Sequence, residues 1–93
     1  MAVEFEILYH PIVVKEDIPR LGNLWREKVQ DAIEEKLTTH PEAYGKSLRR
    51  SLKGYRKLRV GDYRVVFRIE SSKVLILAIS HRFVVYREMR KRS

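Results

Sequence analysis

The 93-residue chain contains no cysteine, and it has only four glycines and three prolines. Without cysteine, it can form neither a disulfide framework nor a zinc site built on thiolates. No apolar run approaches the ~20 residues of a membrane-spanning helix, and Glu4 and Glu6 make the N-terminus too acidic for a secretion signal. Repeats, low-complexity segments and linkers are also lacking. We therefore expect a cytoplasmic protein with one domain over residues 1–93.

Acidic residues are scarce in the second half of the chain. Residues 1–45 hold 5 Lys/Arg and 9 Asp/Glu, a balance of −4, whereas residues 46–93 hold 15 Lys/Arg and 3 Asp/Glu, a balance of +12. A charged surface can serve solubility alone. An asymmetry of this size within one small domain instead favours a polyanionic partner, such as nucleic acid.

The hydrophobic pattern predicts a small α+β domain. Apolar residues alternate with glutamates over residues 3–9, which indicates a first strand. Helical spacing follows over 12–18 and 23–39, with Trp25 as a core anchor. Strand-like segments then lead to the apolar run 74–79 and to a last helix or tail over 83–92. We expect the order β-α-α-β-β-β-α, with an antiparallel sheet of about four strands, two N-terminal helices packed on one face and a short C-terminal helix or tail.

The sequence Gly61-Asp62 predicts a two-residue hairpin turn, because glycine adopts the positive φ that such a turn requires. This turn would pair Val60 with Tyr63 and Arg59 with Arg64, and directly paired residues share a face of the sheet. One face would be apolar and covered by the helices; it comprises Leu58, Val60, Tyr63, Val65, Phe67 and Ile69.

The opposite face of this hairpin, here named the cationic face, carries Lys57, Arg59, Arg64 and Arg68. A second turn at Ser71-Ser72 would pair Ile79 with Arg64 and place His81 on the same face. Apolar residues also fall there, so part of the face must be covered or concave. Like charges directly opposed across strands cost up to ~1 kcal/mol. We infer that the missing counter-charge is a ligand, and phosphate fits arginine geometry best.

Two segments, "LKGYRKLRVGDYRVVFRIE" (52–70) and "VLILAISHRFVVY" (74–86), resemble the RelE/ParE toxin superfamily, the toxins of type II toxin–antitoxin pairs. The resemblance to the RelE branch implies a ribosome-dependent endonuclease that cleaves mRNA in the A site. The ribose 2′-OH would attack the adjacent phosphate without a metal or another cofactor. The resemblance to the ParE branch implies inhibition of DNA gyrase, and a non-catalytic member of the fold is also possible.

The resemblance also implies roles for individual residues. Lys57 and Arg64 would stabilise charge on the phosphate, and Tyr86 would be a base or a stacking platform. His81 or Arg82 would donate the proton to the leaving oxygen. Arg59 would bind phosphate, and we expect further phosphate contacts from Arg68, Lys53 and Arg56.

Some features depart from the family pattern or leave alternatives open. Well-studied members have a second lysine two residues before Lys57, where this chain has Tyr55. Arg64 could instead pair with Glu34 or Glu35 on a helix.

The three histidines lack metal-ligand spacing, so no metal site is expected. A third alternative, a generic RNA-binding protein outside the family, would need exposed aromatic side chains on which RNA bases can stack. The expected partners are a cognate antitoxin, the ribosome and mRNA, with no membrane.

Overall fold

The computed structural model describes residues 4–44, 46–47 and 54–92, and Lys53 lies outside these ranges. Two helices follow the first strand, and three longer strands and a last helix follow a short third helix. Both long helical segments contain a π-helical stretch, Val13–Asp17 at the start of α1 and Ile33–Leu37 at the end of α2. The elements are β1 (Glu6–Tyr9), α1 (Val13–Asp17 with Ile18–Arg20), α2 (Asn23–Ala32 with Ile33–Leu37), α3 (Pro41–Tyr44), β2 (Lys46–Ser47), β3 (Arg56–Val60), β4 (Tyr63–Glu70), β5 (Lys73–His81) and α4 (Val85–Arg92).

The strands form one sheet in the order β1-β5-β4-β3-β2, in which β2 is only two residues long. The predicted α+β class, with about four main strands and a C-terminal helix, is confirmed. The sheet is mixed rather than antiparallel, however, because β1 runs parallel to β5 and Ile7 pairs with Val74. The reason is topological: three helices and three strands separate β1 from β5, so the connection is long enough for the chain to enter β5 in the direction of β1.

The predicted register of the first hairpin is confirmed. Val60 pairs with Tyr63 and Arg59 with Arg64 across the turn. Gly61 has a φ of +57°, and a Cβ there would lie only 2.4 Å from the Trp25 ring. The turn therefore needs glycine for its backbone conformation and for the close approach of α2.

The main core lies between α1, α2 and the apolar face of the sheet, as predicted. Trp25 packs at the edge of this core, beside Tyr63. The fully buried residues of the core include Val13, Val29, Ile33 and Leu37 from the helices and Val65, Phe67, Val74 and Ile76 from the strands.

Helix α4 lies on the opposite side of the sheet and covers part of it. Because apolar residues fall on this face, the sequence predicted that part of it would be covered. Val85 and Met89 of α4 are buried against Val66 of β4 and Ala78 of β5. This second, smaller core does not include the end of the sheet at the Gly61-Asp62 turn, where Arg59, Gly61 and Asp62 are exposed.

A β-bulge in β5 changes the register of the second hairpin. Phe67 pairs with Ile76 as predicted, but Val66 pairs with Ala78, so Leu77 is an extra residue in β5. The prediction that Ile79 pairs with Arg64 is therefore wrong; Arg64 pairs with Ser80. One inserted residue moves every later side chain of the strand to the other face.

Candidate phosphate-binding site

Lys57 and Tyr86 are brought together although 29 residues separate them in the chain. Lys57 lies on β3 opposite Val66, and Tyr86 lies in the first turn of α4, which packs on Val66 through its neighbour Val85. The Lys57 ammonium donates a hydrogen bond to the Tyr86 hydroxyl, and its nitrogen is 5.0 Å from the centroid of the tyrosine ring. The side chain of Tyr86 remains 40% exposed, so a ligand can reach this pair.

Arg64 on β4 lies directly opposite Arg59 on β3, so the two side chains share the cationic face. Arg64 Nη1 donates to the carbonyl oxygens of Gly61 and Tyr63, both at 2.8 Å. These neutral carbonyls orient the guanidinium but do not cancel its charge. Within residues 4–44, 46–47 and 54–92, no ion pair joins Arg59 or Arg64 to a carboxylate, so the alternative pairing of Arg64 with Glu34 or Glu35 is not found.

Arg82 lies at the same end of the sheet as Arg64. Its backbone amide donates to the carbonyl of Asp62 at 2.8 Å, in the turn whose Gly61 carbonyl binds Arg64. The exposed guanidinium of Arg82 lies 4.6 Å from the ring centroid of Phe83. Three arginines, Arg59, Arg64 and Arg82, therefore lie around the Gly61-Asp62 turn and form an arginine cluster, with the acidic residue Asp62 in the same turn.

His81 does not lie on the cationic face, contrary to the prediction. The bulge at Leu77 pairs His81 with Tyr63, a residue of the apolar face. The two rings make an edge-to-face contact with centroids 5.7 Å apart. His81 Nδ1 also accepts a long hydrogen bond, 3.4 Å, from the amide of Phe83. His81 thus lies at the rim of the sheet, on the other side from Lys57 and Tyr86.

The remaining predicted phosphate ligands differ in their surroundings. Arg68 forms an ion pair with Glu70 at 2.6 Å and lies 5.8 Å from the ring centroid of Tyr55. Arg56 donates to the backbone carbonyl of Glu42 at 3.4 Å. Lys53 is outside the described residues. Arg68 therefore has a carboxylate partner, whereas the described residues provide no ion pair for the arginines around the turn.

A buried ion pair between Asp17 of α1 and Arg92 of α4 was not predicted from the sequence. The side chains of Asp17 and Arg92 are 1% and 11% exposed, and two hydrogen bonds of 2.7 and 2.8 Å join them. The hydrogen bond from Arg92 to Asp17 raises the pKa of Arg92 above its ordinary value. One signal was available: Asp17 lies midway between Val13 and Leu21, at a spacing of four residues, on the apolar stripe of α1.

This ion pair also completes the backbone hydrogen bonding of the bulge. Asp17 accepts a hydrogen bond of 2.9 Å from the amide of Ile79, and Arg92 donates one of 2.9 Å to the carbonyl of Leu77. Buried backbone groups that leave a strand ladder need such partners. The pair therefore stabilises the bulge and fixes the C-terminal end of α4.

In the part of the chain that the structure describes, no three metal-ligating side chains cluster. None of the described helices is long and apolar enough to cross a membrane. The site consists of cations, one tyrosine hydroxyl and exposed rings, which together can bind phosphate, stabilise developing negative charge and move one proton.

The fold and the comparison with known families define a small toxin of the RelE/ParE superfamily. The comparison with known families supports the assignment: the model described as "ParE toxin of type II toxin-antitoxin system, parDE" matches residues 4–86. The chain belongs to this family of type II toxin–antitoxin toxins. The resemblance of residues 52–70 and 74–86 to the RelE/ParE superfamily is thereby confirmed.

Among curated proteins, Toxin RelG of Mycobacterium tuberculosis is 43% identical over 53 residues. The match covers 55% of this chain and 61% of the relative, so the chain spans less than two thirds of the relative's length. A crystal structure of the toxin–antitoxin complex RelBE2 from the same organism contains a chain with 29% identity and a TM-score of 0.80. That match covers 86% of this chain and 93% of the other. The isolated RelE toxin of E. coli, 23% identical over 95% of this chain and 97% of that one, has the same fold with a TM-score of 0.67.

Proposed function

We propose that this protein is a ribosome-dependent endonuclease that cleaves mRNA in the ribosomal A site and so inhibits translation. The observation that carries the proposal is the contact between Lys57 and Tyr86 beside an arginine cluster without carboxylate partners in the described residues. Cleavage by a ribose 2′-OH needs three things: alignment of the strand, stabilisation of charge on the phosphorane, and proton transfer.

Each need has a candidate group on the chain. Arg64, oriented by two backbone carbonyls, and Arg59, directly opposite, can bind the non-bridging oxygens of the phosphate. Lys57 can add charge there while it positions the Tyr86 hydroxyl. Because the Tyr86 oxygen accepts the hydrogen bond from Lys57, the hydroxyl keeps its own proton, which it can give to the leaving 5′-oxygen while the proton of the attacking 2′-OH passes to water.

The surroundings of His81 and Arg82 favour different roles for the two residues. Arg82 lies beside the turn that also holds Arg64, where its charge can stabilise the leaving 5′-oxygen. A guanidinium keeps its proton, so it supplies charge rather than acid. His81 lies at the rim with Tyr63 and Phe83, which favours a binding role over proton donation at Lys57 and Tyr86.

The proposal is tested by in vitro translation followed by primer extension on the mRNA. Cleavage at A-site codons is the expected result. Arg64→Ala should lower the single-turnover cleavage rate about 10²- to 10³-fold, while ribosome binding changes far less. Arg87→Ala, which removes an exposed arginine from α4, is the matched control for net charge. Cleavage by Arg64→Ala at the wild-type rate would contradict the assignment.

Tyr86→Phe separates the two roles considered for the tyrosine. The substitution keeps the ring that contacts Lys57 but removes the hydroxyl. If the hydroxyl transfers a proton, cleavage slows by about 10²-fold or more. If Tyr86 serves only as a stacking surface, the variant cleaves at nearly the wild-type rate.

The family description favours a second candidate function, inhibition of DNA gyrase without RNA cleavage, which resemblance to the ParE branch implies. A supercoiling assay with purified gyrase discriminates between the two. Loss of supercoiling together with intact mRNA in the translation assay would support the second candidate and overturn the first.

A cognate antitoxin is the partner that this function requires, because a free toxin would arrest its own host. An acidic, partly disordered segment could cover the cationic face and supply its counter-charges. The RelBE2 structure is itself described as a toxin–antitoxin complex. Induction of this chain alone should stop growth, and co-expression of an acidic protein encoded beside it should restore growth.

A further inference from the structure

Four rings form a continuous row from α2 to the loop after β5. Trp25 and Tyr63 have centroids 5.0 Å apart, Tyr63 and His81 5.7 Å, and His81 and Phe83 5.0 Å. The row begins inside the edge of the main core and ends at Phe83, which is 77% exposed. Folding does not require this last ring, since burial of its surface contributes little.

The loop that carries the exposed ring is tied down by hydrogen bonds of its backbone amides. The amide of Arg82 donates to Asp62 at 2.8 Å, and the amide of Val84 donates to His81 at 2.9 Å. His81 Nδ1 accepts from the amide of Phe83 itself. A ring presented on a backbone that is already held by hydrogen bonds loses less conformational entropy when a flat ligand stacks on it.

The charges around the ring identify the kind of ligand. The guanidinium of Arg82 lies 4.6 Å from the Phe83 centroid, and Arg64 shares the Gly61-Asp62 turn with the loop that carries Phe83. An apolar aromatic surface beside guanidinium groups that form no ion pair within residues 4–44, 46–47 and 54–92 suits a molecule that is flat at one end and anionic at the other. An unstacked nucleotide has this combination of base and phosphate.

We propose that Phe83, with His81 behind it and Arg82 beside it, binds an unstacked base of single-stranded RNA whose phosphates lie on the cationic face. This inference rests on the proposed function and adds to it a separate base-binding position. Stacking on an aromatic ring tolerates every base, so the position would hold the strand in register without reading its sequence. The aromatic surface that a single-strand RNA binder needs thus comes from the loop after β5 and not from the hairpin strands.

The test measures equilibrium binding of a fluorescein-labelled ten-nucleotide RNA to the full chain by anisotropy at several salt concentrations. Phe83→Leu keeps the apolar bulk but removes the ring, and it should weaken binding about tenfold with an unchanged salt slope. Phe83→Tyr should bind like the wild type. Leu24→Ala, which truncates another exposed apolar side chain, is the matched control.

A second probe of the same length, with abasic sugars in place of the bases, isolates the stacking contribution. Wild type should bind this probe about as weakly as Phe83→Leu binds the normal RNA, and Phe83→Leu should lose little more. If Phe83→Leu binds the normal RNA with wild-type affinity, the inference is wrong. It is equally wrong if Phe83→Leu weakens binding of the antitoxin but not of the RNA, because the ring would then belong to the site of a protein partner.

The binding assay and the cleavage assay can fail independently. A chain that cleaves no mRNA but loses RNA affinity in Phe83→Leu would overturn the proposed endonuclease and support the base-binding position. A chain that cleaves mRNA while Phe83→Leu binds RNA and cleaves as the wild type does would overturn only the base-binding position.

Discussion

Arg92 and Arg64 both come from the basic half of the chain, but their surroundings differ. Arg92 is 11% exposed, bound by two hydrogen bonds to the Asp17 carboxylate, and bonded to the Leu77 carbonyl. The hydrogen-bond partners of Arg64 in the described part of the chain are two neutral carbonyls, and Arg64 faces Arg59 across the hairpin. The fold therefore neutralises Arg92, which it needs for packing, whereas among the described residues Arg59 and Arg64 form no ion pair with a carboxylate, as a surface for an anionic ligand requires.

The two regions are connected through α4. The first turn of this helix carries Tyr86, which contacts Lys57 on the cationic face, and its last turn carries Arg92. The Asp17–Arg92 pair thus fixes one end of the helix, and the Val66–Val85 contact fixes the other. Variants that affect one region and not the other can show whether folding and ligand binding are divided in this way.

The largest effect is expected from Asp17→Ala. The substitution leaves the guanidinium of Arg92 and the amide of Ile79 without their partner, and breaking a buried ion pair in this way costs about 3–5 kcal/mol. Urea denaturation followed by circular dichroism measures the loss. Asp17→Asn keeps an oxygen for Ile79 and should be intermediate.

Glu16→Ala is the control for Asp17→Ala, since the neighbouring Glu16 forms an exposed ion pair with Arg20 at 3.2 Å. Its loss should cost less than about 1 kcal/mol. If Asp17→Ala lowered the free energy of unfolding no more than Glu16→Ala does, the buried ion pair would not stabilise the packing of α4. Arg92 would then contribute no more to stability than an exposed arginine does.

The sequence was sufficient to predict the elements that depend on local pattern. Alternation and the Gly61-Asp62 turn predicted the first hairpin with its register, and therefore the opposed Arg59 and Arg64. Helical spacing predicted the face of α2 that carries Trp25. These features depend on residues close together in the chain, so the period of the pattern determines them.

The features that were missed depend on contacts between distant parts of the chain. The bulge at Leu77 has no local signal in the apolar run 74–79, because Asp17 and Arg92 stabilise it from 62 and 15 residues away. His81 was placed on the wrong face for this reason alone. The parallel pairing of β1 with β5 is equally non-local.

The next largest effect concerns the cationic face and has the opposite sign. Arg59→Gln removes one of two opposed like charges, so it should raise the free energy of unfolding by a few tenths of a kcal/mol, up to about 1 kcal/mol. The same variant should bind RNA more weakly and lower the salt slope by about 0.7.

Arg87→Gln, on the exposed surface of α4, removes the same charge away from the hairpin and is the control for both measurements. It should leave the stability nearly unchanged. A loss of stability in Arg59→Gln would mean that Arg59 supports the fold, as Arg92 does, and that its role in ligand binding is secondary.

The smallest effect is the response of stability to salt. At about 1 M KCl the Debye length falls to about 3 Å, so repulsion between exposed arginines is screened, whereas a buried pair is much less affected. Wild-type stability, measured in urea because guanidinium is itself a salt, should rise by a few tenths of a kcal/mol between about 0.05 and 1 M KCl. Arg59→Gln should gain less than the wild type, and Asp17→Asn should gain as much as the wild type. An equal gain in all three proteins would show that the charges of the cationic face do not repel one another, and the reason for expecting an anionic ligand there would be removed.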